Sequence, residues 1–217
     1  MLPGALDAMA RYMDAHPRVG ALGPRLLNAD RSLQSSARDF PRPGPTALAV
    51  LETERWPLVG GLTRRYGRRD SLYWSDHRRT REVDWLMGAC LLLRRDALTR
   101  IGVLDEGYFF FAEEMDLCYR LHQWSWRVVF LAEAEIVHLG GQSSGRVPAT
   151  RVVWHYTGLL RFYRRHYTRA ARLVLRGAIA AAAVQHLLRL ALRHARSPQA
   201  RPLVTAYMRV LLRALTP

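Results

Sequence analysis

Three carboxylates stand within four residues at Glu113, Glu114 and Asp116, directly after the aromatic run Tyr108, Phe109, Phe110 and Phe111. Carboxylates crowded beside apolar rings lose solvation and repel one another, and both effects raise their proton affinity. A carboxyl tuned in this way can take a proton from a hydroxyl near neutral pH, which is general-base chemistry. Arg120 follows Asp116 by four positions and can pair with it on one helix face. Further on, His138 ends a strand-like run and is followed by Gly140, Gly141, Ser143 and Ser144. On residue types alone two plainer readings stay open. Acids are favourable in the first turn of any helix, at the positive end of its dipole. A lone histidine after a strand is more often structural than a ligand.

Several elements must position these groups. Residues 113–123 read as a helix with its acids in the first turn, and residues 127–138 (RVVFLAEAEIVH) as a strand. The apolar run 83–93 (VDWLMGACLLL) has the length of a buried strand. A short helix over 96–101 ends at Gly102. Upstream, residues 4–16 place Leu6, Met9, Ala10 and Met13 on one helical face, and Pro17 follows. The run from Val19 is strand-like and closes in a turn at 28–32; residues 33–45 read as irregular, and 46–54 as a short helix. Residues 60–81 are rich in Gly and Arg and read as an exposed loop, of a length that is usually functional or mobile. From 150 onward three helical stretches follow, at about 150–167, 170–195 and 200–215. The expected organisation is an α/β domain over 1–149 and a helical, arginine-rich extension over 150–217.

The stretch 84–144 resembles the second half of family 2 glycosyltransferases, especially their rhamnosyltransferase-like branch. The likeness rests on several motifs in order. Gly88 and Ala89 precede a hydrophobic run ending in Arg94 and Arg95. Gly102, Asp105 and Glu106 form Gly-x-x-Asp-Glu, ahead of the aromatic cluster. Glu113, Glu114, Asp116, Leu117 and Arg120 fill a Glu-Asp-x-Asp-Leu-x-x-Arg helix start, and a strand with Ala-Glu-Ala ends at His138. Residues 19–43 also match, so the resemblance runs over about 4–165. It implies the acceptor-binding half of a GT-A fold, a Rossmann-like mixed sheet between helices, followed by C-terminal helices. It further implies inverting transfer of a sugar, such as rhamnose, from a nucleotide-diphosphate donor to a cell-surface glycan precursor or lipid-linked acceptor. Glu114 would be the base, with Glu113 and Asp116 beside it and Arg120 in support. Gly88 would line the acceptor cleft, Trp85 and Arg120 would bind substrate with it, and His138 would help hold a divalent metal, Mg or Mn, on the diphosphate.

Two departures from the family pattern matter. Glu114 stands where the family has Asp, and the extra methylene moves a carboxylate by about an ångström, a scale to which catalytic positioning is sensitive. No Asp-x-Asp occurs anywhere in the sequence, and the chain opens at Met1-Leu2-Pro3-Gly4, where the resemblance places the end of the nucleotide and metal site. The expectation is therefore a chain N-terminally truncated relative to the family, with the main metal ligands outside it.

Composition adds a partner class. Hydrophobic residues are 49% and charged residues 24%, an ordinary globular balance. All 33 basic residues are arginine; against 18 acids they give a formal charge of +15. Such a surplus suggests an anionic partner. Residues 154–169 interleave Trp, Tyr and Arg, which suits the headgroup region of a membrane. Residues 170–195 carry an apolar run flanked by arginines that reads as too short and too charged to span a bilayer, and 203–215 read as amphipathic. The expectation is a cytoplasmic protein peripheral on the inner face of the cell membrane; helices packing on the domain would explain the same pattern. The alternative is a non-catalytic remnant, either at the membrane surface or binding nucleic acid through the arginines at 64–81 and 154–169, although no nucleic-acid recognition motif is present. Cys90 and Cys118 lie far apart in apolar contexts and read as buried free thiols.

Overall fold

A computed structural model of the chain describes residues 2–55, 77–140, 147–194 and 200–216. The chain forms two compact units, each built from more than one segment. The first comprises Met1–Phe40, Asp70–Gly107 and Glu113–Gly141; the second comprises Pro41–Arg69, Tyr108–Ala112 and Gln142–Pro217. The second unit thus contains the helical region from 150 on together with two segments from earlier in the sequence.

The first unit is an α/β sandwich around a mixed sheet. Its centre is the parallel pair β1 (Val19–Leu27) and β7 (Arg127–Val137), in register from Val19 opposite Arg127 to Leu27 opposite Val137, with irregularities on the way. β4 (Arg81–Glu82) runs antiparallel on the far edge of β7. β2 (Leu33–Gln34) and β6 (Leu92–Leu93) both pair antiparallel with β1. Because side chains alternate across a strand, each central strand feeds two cores. Val19, Leu22 and Leu26 of β1 and Val129, Leu131 and Ile136 of β7 pack with Ala5, Met9 and Met13 of helix α1 (Ala5–Ala15). Ala21, Val128 and Phe130 face the other way, onto Leu117, Cys118 and Leu121 of helix α4 (Glu113–Gln123). Close packing on that side needs Gly20, where a Cβ would sit 2.7 Å from Leu121 Cδ2 and 2.9 Å from Trp126 Cβ. The mixed α/β organisation read from the sequence, consistent with part of a GT-A fold, is the one found.

Local differences from the sequence reading are instructive. The run 83–93 is two short strands rather than one. β5 (Trp85–Leu86) pairs antiparallel with β3 (Ala37–Arg38) in a separate two-stranded sheet, whereas β6 joins the main sheet, and the chain turns between them around Gly88. An apolar run reports burial but not which partner strand takes it. The segment 33–45 is likewise more ordered than expected, with β2, β3 and the start of helix α2 (Pro43–Val50), which Pro43 and Pro45 initiate. The helix expected over 46–54 is α2 followed by a 3-10 turn at Thr53–Arg55. The short helix α3 (Arg95–Ile101) does end at Gly102, whose φ is 80°. Most of the Gly- and Arg-rich loop lies outside the described residues; its last residue, Arg81, opens β4.

The second unit is helical: α2, α5 (Pro148–His166), α6 (Arg169–His194) and α7 (Ala200–Leu215). Phe162, Tyr163, Leu175, Ile179 and Val210 are among its buried side chains. The hydroxyls of Tyr163 and Tyr167 both donate to the Pro41 carbonyl, at 3.3 and 2.6 Å. Glu52 accepts from Arg55 at 3.1 Å and from Arg189 at 2.7 Å, which ties the end of the α2 segment to α6. Contrary to the sequence reading, the stretch Arg169–Leu192 of α6 is long and apolar enough, by length and composition, to cross a membrane. The apolar run between the arginines is short, but the continuous helix extends past them on both sides.

Candidate active site

The expected site residues fall in the first unit, and three of them converge. Helix α4 begins at Glu113, immediately after Phe111 and Ala112, whose φ values of 69° and 72° are left-handed. Two consecutive non-glycine residues in that region are strained, by about 1–3 kcal/mol each, and such strain persists only where surrounding structure holds it. The result is an abrupt helix start that presents Glu113 and Glu114 at the N-terminus. The Gly88 amide donates to Glu114 Oε1 at 3.2 Å, so the turn between β5 and β6 is latched onto the carboxylate. A Cβ at Gly88 would lie 3.5 Å from the Glu114 side chain, ordinary contact. The glycine is thus not required by contact with Glu114 itself.

The electrostatics single out Glu114. Burial first, and the neighbouring Glu113 charge second, push its pKa up from 4.5 to about 7, against the opposing pull of the Gly88 amide and the Arg38 guanidinium. Glu114 as a residue is only partly buried, yet its Oε2 is closed off from solvent and has no hydrogen-bond partner among the described residues, and the same holds for Glu113 Oε2. Two enclosed carboxylate oxygens without donors are costly in a folded protein and call for a ligand hydroxyl or water. Trp85 stands close by in sequence and is locked: its indole N–H donates to the Asp39 carbonyl at 2.9 Å, and the Arg38 guanidinium carbon sits 5.9 Å from its ring centre.

Asp116 and Arg120 take a different part. Asp116 is fully buried, and Arg120 Nε donates to its Oδ2 at 2.8 Å. The rest of the Arg120 guanidinium donates to the carbonyls of Ile101 at 2.6 Å and Val103 at 2.8 Å, around the C-terminus of α3. A cation on the last carbonyls of one helix and on an acid of the next is a brace. These contacts of Arg120, expected from the sequence at a substrate, are made within the protein. His122 adds a second brace that the sequence gave no signal for, with Nε2 2.9 Å from the Asp84 carbonyl. Asp84 in turn accepts from the Phe40 amide at 2.7 Å. His77, also unanticipated, is buried and accepts the Ala37 amide through Nε2 at 3.1 Å, holding β3 in place.

His138 lies at the end of β7, its amide donating to the Leu27 carbonyl at 2.9 Å. Its Nδ1 is 2.6 Å from Gln34 Oε1, which favours the tautomer with the proton on Nδ1 and leaves Nε2 as the lone-pair nitrogen. That is how ligating histidines are oriented. One imidazole is nevertheless too little for Mg²⁺ or Mn²⁺, which take several oxygen ligands. Among the described residues no three His, Cys, Asp or Glu side chains gather into a group that could hold a metal ion. The described residues do not fit a metal by themselves.

Comparison with known proteins identifies the family. The family described as "Glycosyltransferase like family 2" matches residues 2–157. An N-acetylglucosaminyl-diphospho-decaprenol L-rhamnosyltransferase of Mycobacterium tuberculosis (strain H37Rv) is 35% identical over 182 residues, 82% of this chain and 57% of that protein. The rhamnosyltransferase WbbL of Escherichia coli K12 is 28% identical over 83 residues, 38% of this chain and 31% of that protein. The chain thus spans little more than half the length of the mycobacterial relative. No solved structure matches. A family match over most of the chain, with the carboxylate pair at the head of α4 inside it, establishes that the chain belongs to glycosyltransferase-like family 2.

Proposed function

We propose that this chain carries the acceptor-activating part of an inverting glycosyltransferase, with Glu114 as the general base. The observation that carries the reading is the Glu114 carboxyl: pushed up to about 7, latched to the Gly88 amide through one oxygen, and enclosed without a donor at the other. A group with that proton affinity is partly ionised near neutral pH and regains a proton readily, as a base for a hydroxyl requires. The acceptor hydroxyl would donate to Glu114 Oε2. As its oxygen forms the bond to the anomeric carbon, the bond from that carbon to the donor diphosphate breaks. The diphosphate leaves with the electron pair, and the hydroxyl proton ends on Glu114. A single displacement inverts the anomeric centre. Glu113 contributes charge that keeps Glu114 basic, while Asp116 and Arg120 hold the helix that carries both.

The substrates follow from the relatives' names. We infer a nucleotide-diphosphate sugar as donor, with rhamnose as the first candidate, and a lipid-linked diphosphate sugar as acceptor. A lipid-linked acceptor also favours a position at the inner face of the cell membrane, since the reacting hydroxyl is then held at a bilayer.

The test is transfer from a panel of nucleotide-diphosphate sugars to a polyprenyl-diphosphate N-acetylglucosamine, comparing the wild-type chain with Glu114→Gln and Glu114→Asp. The Gln variant should lose transfer by a hundredfold or more (about 10²–10⁴ for loss of a general base). The Asp variant should fall about tenfold or more, because the shorter side chain leaves the Gly88 amide and draws back from the hydroxyl. The wild-type kcat/KM should rise with pH, pass half-maximum near the Glu114 value of about 7 and level off above it. Full transfer by the Gln variant would remove Glu114 from the chemistry, and neither transfer nor donor binding by the folded wild-type chain would remove the activity from this chain.

A further inference from the structure

The outer face of helix α6 is apolar from Leu173 to Leu192. Leu173, Val184, Leu188 and Leu192 recur at helical spacing and are exposed, Leu173 by 68% and Leu192 by 86%. Gly177 and Ala181 lie on the same exposed stripe, and no charged residue interrupts it. The opposite face, with Leu175, Ile179, Ala182 and Ala183, is buried in the helical unit. Helix α7 repeats the pattern. It buries Ala206, Val210 and Ala214 and exposes Val204, Met208, Leu212 and Leu215 at spacings of three and four. Each helix therefore has one apolar face in the core and a second facing outward. Soluble surfaces rarely carry continuous apolar stripes of this length without a partner.

The surrounding charge says which partner. After Glu135 the sequence contains no Asp or Glu, while Arg169, Arg172 and Arg176 open α6, and Arg201 and Arg209 stand exposed on α7. Two copies of so cationic a surface would repel one another. An anionic bilayer offers phosphates to the guanidinium groups and hydrocarbon to the leucines at the same depth. We propose that α6 and α7 dock the helical unit onto an anionic lipid surface, lying in the interface with these outer faces among the acyl chains and the arginines on the phosphates. The helix α6 lies on the bilayer instead of crossing it, because Leu175 and Ile179 are held in the protein core and crossing would strip that face. This surface agrees with a lipid-linked acceptor but stands on its own observations.

The experiment is co-sedimentation of the full chain with vesicles of phosphatidylcholine alone, or of phosphatidylcholine with phosphatidylglycerol, in the absence of donor sugar. Binding is expected only with phosphatidylglycerol and should weaken as salt rises. Leu173→Asn/Leu188→Asn/Leu192→Asn should weaken it by about tenfold or more, and so should Met208→Asn/Leu212→Asn, with circular dichroism and the thermal midpoint retained. The control Leu6→Asn/Val103→Asn, at exposed apolar positions of the first unit, should bind as the wild type does. Glu114→Gln should also bind fully, so a failure of the proposed chemistry and a failure of this surface give different results. Wild-type affinity in both helix-face variants would overturn the proposal. So would vesicle-bound protein that alkaline carbonate fails to release, which would make α6 a spanning helix. A dimer in solution that the substitutions dissociate without changing vesicle binding would assign the face to a second copy and overturn it as well.

Discussion

Replacing Glu114 with Gln should stabilise the protein while it abolishes transfer, and the gain should depend on pH. The unfolded chain releases the Glu114 proton near 4.5, whereas the folded chain holds it to about 7. Between those values the folded state binds more protons than the unfolded one, so stability falls as pH rises through the window and levels off above it. At about 1.4 kcal/mol per pH unit, the whole window is worth about 3.5 kcal/mol at most. Glutamine keeps a carbonyl for the Gly88 amide but cannot ionise. Its advantage over the wild type should therefore be small at pH 4 and grow to about 2–3 kcal/mol at pH 8, or about 4–12 °C in thermal midpoint for a chain of this size. Urea denaturation of both proteins at several pH values from 4 to 8 measures the difference directly. Any fixed effect of the amide NH2 group cancels in the pH dependence. A stability gap that stays flat across that range would show that Glu114 titrates as an ordinary surface carboxyl, and the assignment of the base would lose its physical support.

Other outcomes follow from the same contacts. Arg120→Ala removes the guanidinium that pairs with the fully buried Asp116 and uncaps α3, and should destabilise by about 3 kcal/mol by urea denaturation, with Arg120→Ala/Asp116→Asn recovering part of it. His77→Ala removes the acceptor of the Ala37 amide from a buried position and should destabilise by about 2–4 kcal/mol in the same assay. Cys118, whose thiol burial pushes up to about 12, should resist alkylation in the folded protein at pH 8, and Cys90, also raised by burial, should react slowly; both should react at once in denaturant, as mass spectrometry would record. Gly158→Ala should destabilise, since a Cβ there would come within 2.7 Å of the Phe111 carbonyl oxygen and press on the strained turn ahead of α4; the thermal midpoint reads it.

Local signals in the sequence determined a good part of this protein. The 3.6-residue period and the acidic first turn fixed α4 at Glu113–Gln123, and apolar runs placed β1 and β7 and the C-terminal helices close to their observed bounds. The spacing of Asp116 and Arg120 was enough to pair them, because positions four apart share a helix face whatever the fold does. Contacts between residues distant in the chain were decided by the tertiary structure alone. Nothing in VDWLMGACLLL says that its two ends enter different sheets, since strand pairing depends on partners at residues 21–22 and 37–38. Nor does residue type separate Glu113 from Glu114; in the sequence only the family resemblance does. They are the same residue type in adjacent positions, and only the fold brings the Gly88 amide to one oxygen of Glu114 and encloses the other. The apolar outer face of α6 belongs to the same class. The sequence shows that the helix is apolar, but which of its leucines are left for a partner depends on which face the rest of the helical unit has already buried.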